Sequence, residues 1–212
     1  MKQRTLELFL PDALADWEIG FLTAHLAGGH GRPLPGGFTI RTVAESKAPR
    51  TTMGGLRVAV DATLDEVASE RPAVFVLPGS SAWDEGQHGA ALERAKALVD
   101  DGVVVAAICG ATSGLARVGL LDDRDHTSNA REYLLGTGYA GTERYVEAPA
   151  VFDRGVVTAG ATDAVAWTAT VMRAVDAYTS NVIDAWEQLY LTSRPEHFFA
   201  LMTALQGGGE AV

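Results

Sequence analysis

The run Val103-Val104-Val105-Ala106-Ala107-Ile108 ends on Cys109, the only cysteine in the chain, and passes at once into Gly110-Ala111-Thr112. Six consecutive apolar residues, most of them β-branched, fit a strand buried on both faces, as in a parallel sheet. Ser113-Gly114-Leu115-Ala116 then fits a helix that starts without a linker. The abrupt change predicts a sharp turn with Cys109 at the carboxyl end of the strand, where a nucleophile elbow presents its side chain. Gly110 carries no side chain to cover the sulfur and lets the backbone turn. A helix starting here aims its first N–H groups at the sulfur, which favours the thiolate. The competing reading is a small buried hydrophobe, the common fate of a lone cysteine behind an apolar strand.

The rest of the chain decides how much room such a turn has. A length of 212 residues suits one large α/β domain, or one domain with an extension. Lys and Arg total 17 against 27 for Asp and Glu, a formal charge of −10. That balance argues against nucleic acid and against an anionic membrane surface. One cysteine allows no internal disulfide and suits a reducing cytoplasm. Met1 to Leu6 show no signal-like apolar run, and no stretch approaches the roughly 20 apolar residues of a membrane helix.

In chain order, Thr5 to Leu10 reads as a first strand stopped by Pro11. Asp12 or Asp16 is placed to cap a helix from Trp17 to Ala27, and Glu18 lies in its first turn. Gly36 to Glu45 is a second strand, Gly54 to Asp61 a turn and short strand, and Asp61 to Val67 a capped helical turn. Ala73 to Leu77 is a wholly apolar strand, expected to be central and parallel. It ends in Pro78-Gly79-Ser80-Ser81, where main-chain amides are free to face a ligand oxygen. A helix over Gly89 to Asp100, the elbow strand, and a short helix ending near Gly119 follow. His126 to Asn129 is a short extended piece, with Asn129 placed to cap the next helix. Tyr145 to Val151 and Gly155 to Ala159 pair as strands, and an apolar helix runs from Ala164 to Ala177. Strands alternating with helices imply a mainly parallel sheet covered on both faces. From Thr179 onward the chain is helical and amphipathic, packing on the domain or on a second subunit, and residues 207–212 are expected to be disordered.

Several pieces stand together in one order. Leu77-Pro78-Gly79 precedes Ile108-Cys109-Gly110-Ala111-Thr112 by about 30 residues, Glu18 follows the first strand, His126 lies 17 positions after Cys109, and Val157-Thr158-Ala159-Gly160 leads into the last core helix. On these residues the chain resembles the ThiJ/PfpI superfamily, of the class I glutamine-amidotransferase-like fold, over residues 4 to about 178. Asp16-Trp17-Glu18 and His126-Thr127-Ser128-Asn129 look like its bacterial branch named for amidotransferases and intracellular proteases or amidases.

The resemblance implies a flavodoxin-like three-layer α/β sandwich over residues 1–178, with a helical extension over 179–206. It also implies a homodimer. It makes Cys109 the nucleophile, places Glu18 on its sulfur, offers His126 as general base or orienting residue, and builds an oxyanion hole from amides near Gly79, Ser80 and Gly110. Asp16, Trp83 and Thr112 are candidates to line the pocket. Family proteases carry histidine directly after the cysteine, whereas this chain has Gly110. No His-x-Glu pair follows Thr158, so ammonia production from glutamine is not expected.

The chemistry expected is thiol addition to a small carbonyl or acyl substrate followed by hydrolysis, of hydrolase, glyoxalase, deglycase or amidase type. The alternatives are a redox-sensing or chaperone-like protein using the same thiol without turnover, and a binding module with a degenerate site. No cofactor or metal site is read. His25, His30 and His88 form no pair at ligand spacing, and Gly28-Gly29 and Gly54-Gly55 lack the context of a dinucleotide loop.

Overall fold

Two apolar faces on the same strands dictate the layers. The computed structural model describes residues 4–28 and 37–207. In chain order it contains β1 (Arg4–Phe9), α1 (Asp16–Leu26), β2 (Phe38–Ala44), β3 (Arg50–Thr51), β4 (Arg57–Val58), β5 (Ala62–Thr63) and β6 (Val74–Leu77). Then come α2 (Gly89–Asp100), β7 (Val104–Ile108), α3 (Gly110–Arg117), α4 (Arg131–Leu135), β8 (Ala150–Asp153), β9 (Val156–Ala159), α5 (Ala164–Ala174), α6 (Ser180–Thr192) and α7 (Pro195–Gly207).

The main sheet has the order β5-β2-β1-β6-β7-β9-β8. Neighbours are parallel except β8 and β9, which form an antiparallel pair. Because strand side chains alternate, Val74, Val76, Ala106 and Ile108 enter one core with Leu22, Trp167 and Trp186. Phe75, Leu77, Val105 and Ala107 enter the other with Leu92, Leu98 and Leu115. Helices therefore cover both faces, giving the flavodoxin-like three-layer arrangement with added C-terminal helices. Trp186 on α6 anchors that addition, its indole N–H donating to His25 Nε2 at 2.8 Å. Among the described residues no helix is long and apolar enough to cross a membrane.

One charge is sealed into this apolar frame. Glu7 on β1 is fully buried, and its Oε2 accepts from Arg94 Nη2 at 2.7 Å and Nε at 3.2 Å. Arg94 also donates to the carbonyls of Ala68 and Glu70, so the pair ties β1, α2 and the turns after β5 together. Burial pushes the Glu7 carboxyl up, against the pull of Arg94.

Several local expectations change. The capped turn expected over Asp61 to Val67 starts later: Ala62 and Thr63 extend along β2 as an edge strand, and the turn that follows is capped by Thr63, whose N–H donates to Glu66 Oε2 at 2.7 Å while its Oγ1 accepts from Glu66 N–H at 3.3 Å. The first residue of α1 is preceded by Ala15 with no side-chain cap, because Asp16 is used elsewhere. The helix expected to reach Ala177 stops at Ala174. Residues 145–149 do not join the strand pair, which is confined to β8 and β9. Gly207 is the last residue of α7, while His30, the start of the second strand at Gly36, and residues 208–212 lie outside the described residues.

Removing one partner of a buried pair leaves an uncompensated charge, at a cost of about 3–5 kcal/mol. Arg94→Leu is expected to lower unfolding stability by that order, whereas Glu7→Leu/Arg94→Leu loses distinctly less. Denaturant titration of the three proteins checks this; equal losses for the single and double variants contradict it.

Candidate active site

Three strand ends and one helix converge on Cys109. β7 ends at Ile108, and Cys109 takes φ 57° and ψ −128°, a conformation that costs a non-glycine residue energy and is retained where structure over-determines it. The supports are visible. Cys109 N–H donates to Ala159 O at 3.0 Å, while its carbonyl accepts from Thr112 N at 3.1 Å and Thr112 Oγ1 at 2.6 Å. Gly110 is needed next, because a Cβ there would stand 2.8 Å from Ser80 O.

From β6 comes the Pro78-Gly79-Ser80 turn. Gly79 N–H donates to Glu18 Oε2 at 2.6 Å, and Ala15 N–H donates to Gly79 O at 3.0 Å, docking the start of α1 on the turn. A Cβ on Gly79 would lie 2.7 Å from Glu18 Oε1 and 2.8 Å from Cys109 Cβ. The carboxyl and the cysteine thus meet over the bare face of one glycine. Glu18 is fully buried, and its Oε1 has no oxygen or nitrogen partner. Burial pushes its carboxyl up to about 7, against the opposing hydrogen bonds from Gly79 and the Cys109 thiol.

The sulfur is pushed the same way, to about 11, first by burial and then by the charge of Glu18; hydrogen bonds from Asn129 and the Gly110 N–H offset this only in part. This corrects the expectation of a thiolate favoured by the helix N-terminus. Desolvation and a neighbouring carboxylate outweigh the amides of one short helix. At neutral pH the sulfur is a thiol beside a carboxyl that is close to half protonated, and the two titrate as a unit.

His126 is not brought to the thiol by its hydrogen bonds. It is fully buried, with Nδ1 on Arg124 O at 2.8 Å and Nε2 on Tyr139 Oη at 3.1 Å, and burial lowers its basicity. Its segment instead delivers Asn129, which sequence reasoning assigned only to a helix cap. Asn129 Nδ2 donates to Cys109 Sγ at 3.7 Å, and its Oδ1 accepts from Ala161 N–H at 2.9 Å. No local sequence signal marks this role, since it depends on β9 carrying Ala161 alongside the elbow.

The remaining candidates sort by contact. Gly79 is not an oxyanion donor, because its N–H is committed to Glu18. Ser80 and Gly110 lie against each other; the Ser80 hydroxyl donates to Asp12 O at 2.7 Å, leaving its main chain facing the elbow. Trp83 is not a pocket wall: it is fully buried beneath Gly110 and Gly114, with its N–H on Pro78 O at 2.8 Å. Thr112 is also buried, bonded to Ser128 Oγ at 2.6 Å as well as to Cys109 O. Asp16 accepts from Gly54 N–H at 2.7 Å and from Thr52, which holds its carboxyl low and ties α1 to the β3–β4 hairpin. The exposed aromatic at this end is Trp17, whose N–H donates to Ala161 O at 3.2 Å. Among the described residues no cluster of three or more His, Cys, Asp and Glu could hold a metal ion.

Residues 4–174 match the DJ-1/PfpI family. The chain belongs to that family. It is 34% identical over 208 residues to the uncharacterized protease YoaZ of Bacillus subtilis, covering 97% of this chain and 99% of that protein. The crystal structure of a ThiJ/PfpI family protein from Bacillus anthracis superposes with TM-score 0.90 at 37% identity, covering 96% of this chain and 98% of the other. A DJ-1 superfamily protein from Agrobacterium tumefaciens superposes with TM-score 0.77 at 28% identity, covering 92% and 100%. The mostly parallel sheet is the family's fold.

The Glu18 carboxyl carries a sign for stability. Its folded value of about 7 exceeds the ordinary 4.5, so the fold favours the protonated form. That contribution is complete below pH 4.5 and is lost as pH rises toward 7, a gap of about 3 kcal/mol at 1.36 kcal/mol per pH unit. Glu18→Gln keeps an acceptor for Gly79 and cannot ionise. Its stability relative to wild type is expected to grow by up to that amount between pH 4.5 and 7.5; a constant difference across that range refutes the assignment.

Proposed function

We propose that the chain is a cysteine-dependent enzyme of the ThiJ/PfpI type that acts on a small carbonyl or acyl compound. The observation that carries this reading is the Glu18 carboxyl, pinned on Oε2 by Gly79 N–H while its other oxygen has no nitrogen or oxygen partner beside the Cys109 thiol. A carboxyl near 7 changes its protonation at neutral pH, which suits a general base that takes the thiol proton as the sulfur attacks. The developing oxyanion is held by the Ser80 and Gly110 amides. Glu18 then delivers or withdraws the proton for hydrolysis by water. Asn129 orients the sulfur and carries no charge.

Two observations favour small electrophiles over peptides. Gly110 occupies the place next to the cysteine, and His126 has both ring nitrogens engaged elsewhere. A peptide nitrogen leaves poorly without a strong general acid, whereas addition to an aldehyde or an activated acyl group needs less help.

The test is turnover of small 2-oxoaldehydes and activated esters by purified protein. Cys109→Ser is expected to abolish it, and Glu18→Gln to lower kcat about 100-fold, within the range of general acid–base catalysis. Undiminished turnover by Cys109→Ser removes the proposal.

A further inference from the structure

Three of the four tryptophans, Trp83, Trp167 and Trp186, are buried, whereas Trp17 is 53% exposed. Exposure of one aromatic is ordinary; the attachments of this one are not. Its main chain leads directly into Glu18, whose carboxyl meets Cys109 over Gly79. Its indole N–H reaches toward the other flank of the sulfur and donates to Ala161 O at 3.2 Å. The N–H of that same Ala161 donates to Asn129 Oδ1 at 2.9 Å, and Asn129 Nδ2 donates to Cys109 Sγ at 3.7 Å. Two residues earlier, Ala159 O accepts from Cys109 N–H at 3.0 Å. The indole therefore spans from the helix that carries Glu18 to the loop that holds Asn129, the two side chains placed at the sulfur. Gripped at its nitrogen, the ring is fixed by its edge and keeps open face. Its surroundings are apolar. The β3–β4 hairpin is seated against the same end of α1, with Met53 N–H on Leu14 O at 2.9 Å and Gly54 N–H on Asp16 Oδ2 at 2.7 Å. The hairpin tip presents Met53 and Leu56, both more than half exposed. Asp16, the carboxylate that precedes Trp17, is taken up by Gly54 and Thr52 and does not hold a cation over the ring.

We propose that Trp17 determines specificity: its open face receives the non-reacting part of the substrate and selects carbonyl compounds with a flat apolar substituent, such as an aryl group, over those with a bare methyl. The inference rests on the reading of Cys109 as a nucleophile toward carbonyl compounds, and narrows the substrate class. In the addition the Sγ–C bond forms and the C=O π pair moves to oxygen. The thiol proton ends on that oxygen, so the product is a hemithioacetal with nothing oxidised or reduced. Trp17 takes no part in the proton movement. An aryl group laid on the indole gains offset-stacking contact. Because the ring is already held, little ordering cost is left to offset that gain. A methyl group covers only a small part of the ring and gains correspondingly less.

The experiment reads protection of Cys109 from iodoacetamide by phenylglyoxal and by methylglyoxal, in wild type, Trp17→Ala and Trp17→Phe. The half-protecting concentration reports the addition equilibrium without turnover, and the variant-to-wild-type ratio for each aldehyde cancels its intrinsic reactivity. Trp17→Ala is expected to weaken protection by phenylglyoxal about tenfold more than protection by methylglyoxal, near the upper end of what one aromatic contact supplies. Trp17→Phe keeps an aromatic face and loses the N–H, and is expected to retain most of the discrimination. Equal weakening for the two aldehydes in Trp17→Ala means that the indole only braces Ala161 and Asn129, and overturns the proposal. So does a Trp17→Phe protein that discriminates no better than Trp17→Ala, because the hydrogen bond and not the face would then carry the effect. If Trp17→Ala does not fold, Trp17→Leu makes the same comparison with the same expected and overturning results. A wild type in which neither aldehyde protects Cys109 refutes the carbonyl-addition reading itself; protection by both that is insensitive to Trp17 removes this inference alone.

Discussion

The hydrogen bond from Gly79 N–H to Glu18 Oε2, 2.6 Å long and fully enclosed, is the constraint around which the site is arranged. It fixes one carboxylate oxygen and leaves the other beside the cysteine. It works only because position 79 has no side chain, since carboxyl and Cys109 Cβ both lie within 2.8 Å of where one would be. The strained backbone of Cys109 follows from the same crowding. The turn must clear Ser80 on one side while Thr112 and Ala159 hold it on the other. Such strain is tolerated because the strands and helices around it are rigid.

That rigidity comes from a sheet buried on both faces. Central strands with unbroken apolar sequences are placed by the two cores together, and their carboxyl ends form a row where ligands bind in open α/β sheets. The Glu7–Arg94 pair sits within this frame, well away from the elbow in its contacts, and joins three elements at the cost of desolvating a charge. The C-terminal helices bury Trp186 and Leu201 against the α1 and α5 side. They add to the core that supports Glu18 on α1, and none of the elbow's hydrogen bonds comes from them.

The balance of charges at the elbow differs from a simple helix-dipole argument. Amides at the start of α3 favour the thiolate, but burial and the adjacent carboxylate disfavour it more strongly. The proton therefore rests on sulfur.

The elbow was legible in the chain because strand, cysteine and glycine are contiguous, and local pattern is enough to place them. The parallel central strands were legible for the same reason. Glu18 was found through family resemblance, since an acid in the first turn of a helix is by itself ordinary. Asn129 carried no local mark, and His126 and Trp83 carried misleading ones. Their contacts depend on how four loops at one end of the sheet fold over each other. A histidine between a carbonyl and a phenol looks the same in sequence as one facing a thiol. By itself, then, the sequence determined the parallel sheet, the elbow and the glycines beside it, because backbone sterics and apolar periodicity act over a few residues. Only the tertiary structure decided which polar groups face the sulfur and where its proton rests, because burial and hydrogen bonding between distant segments set both.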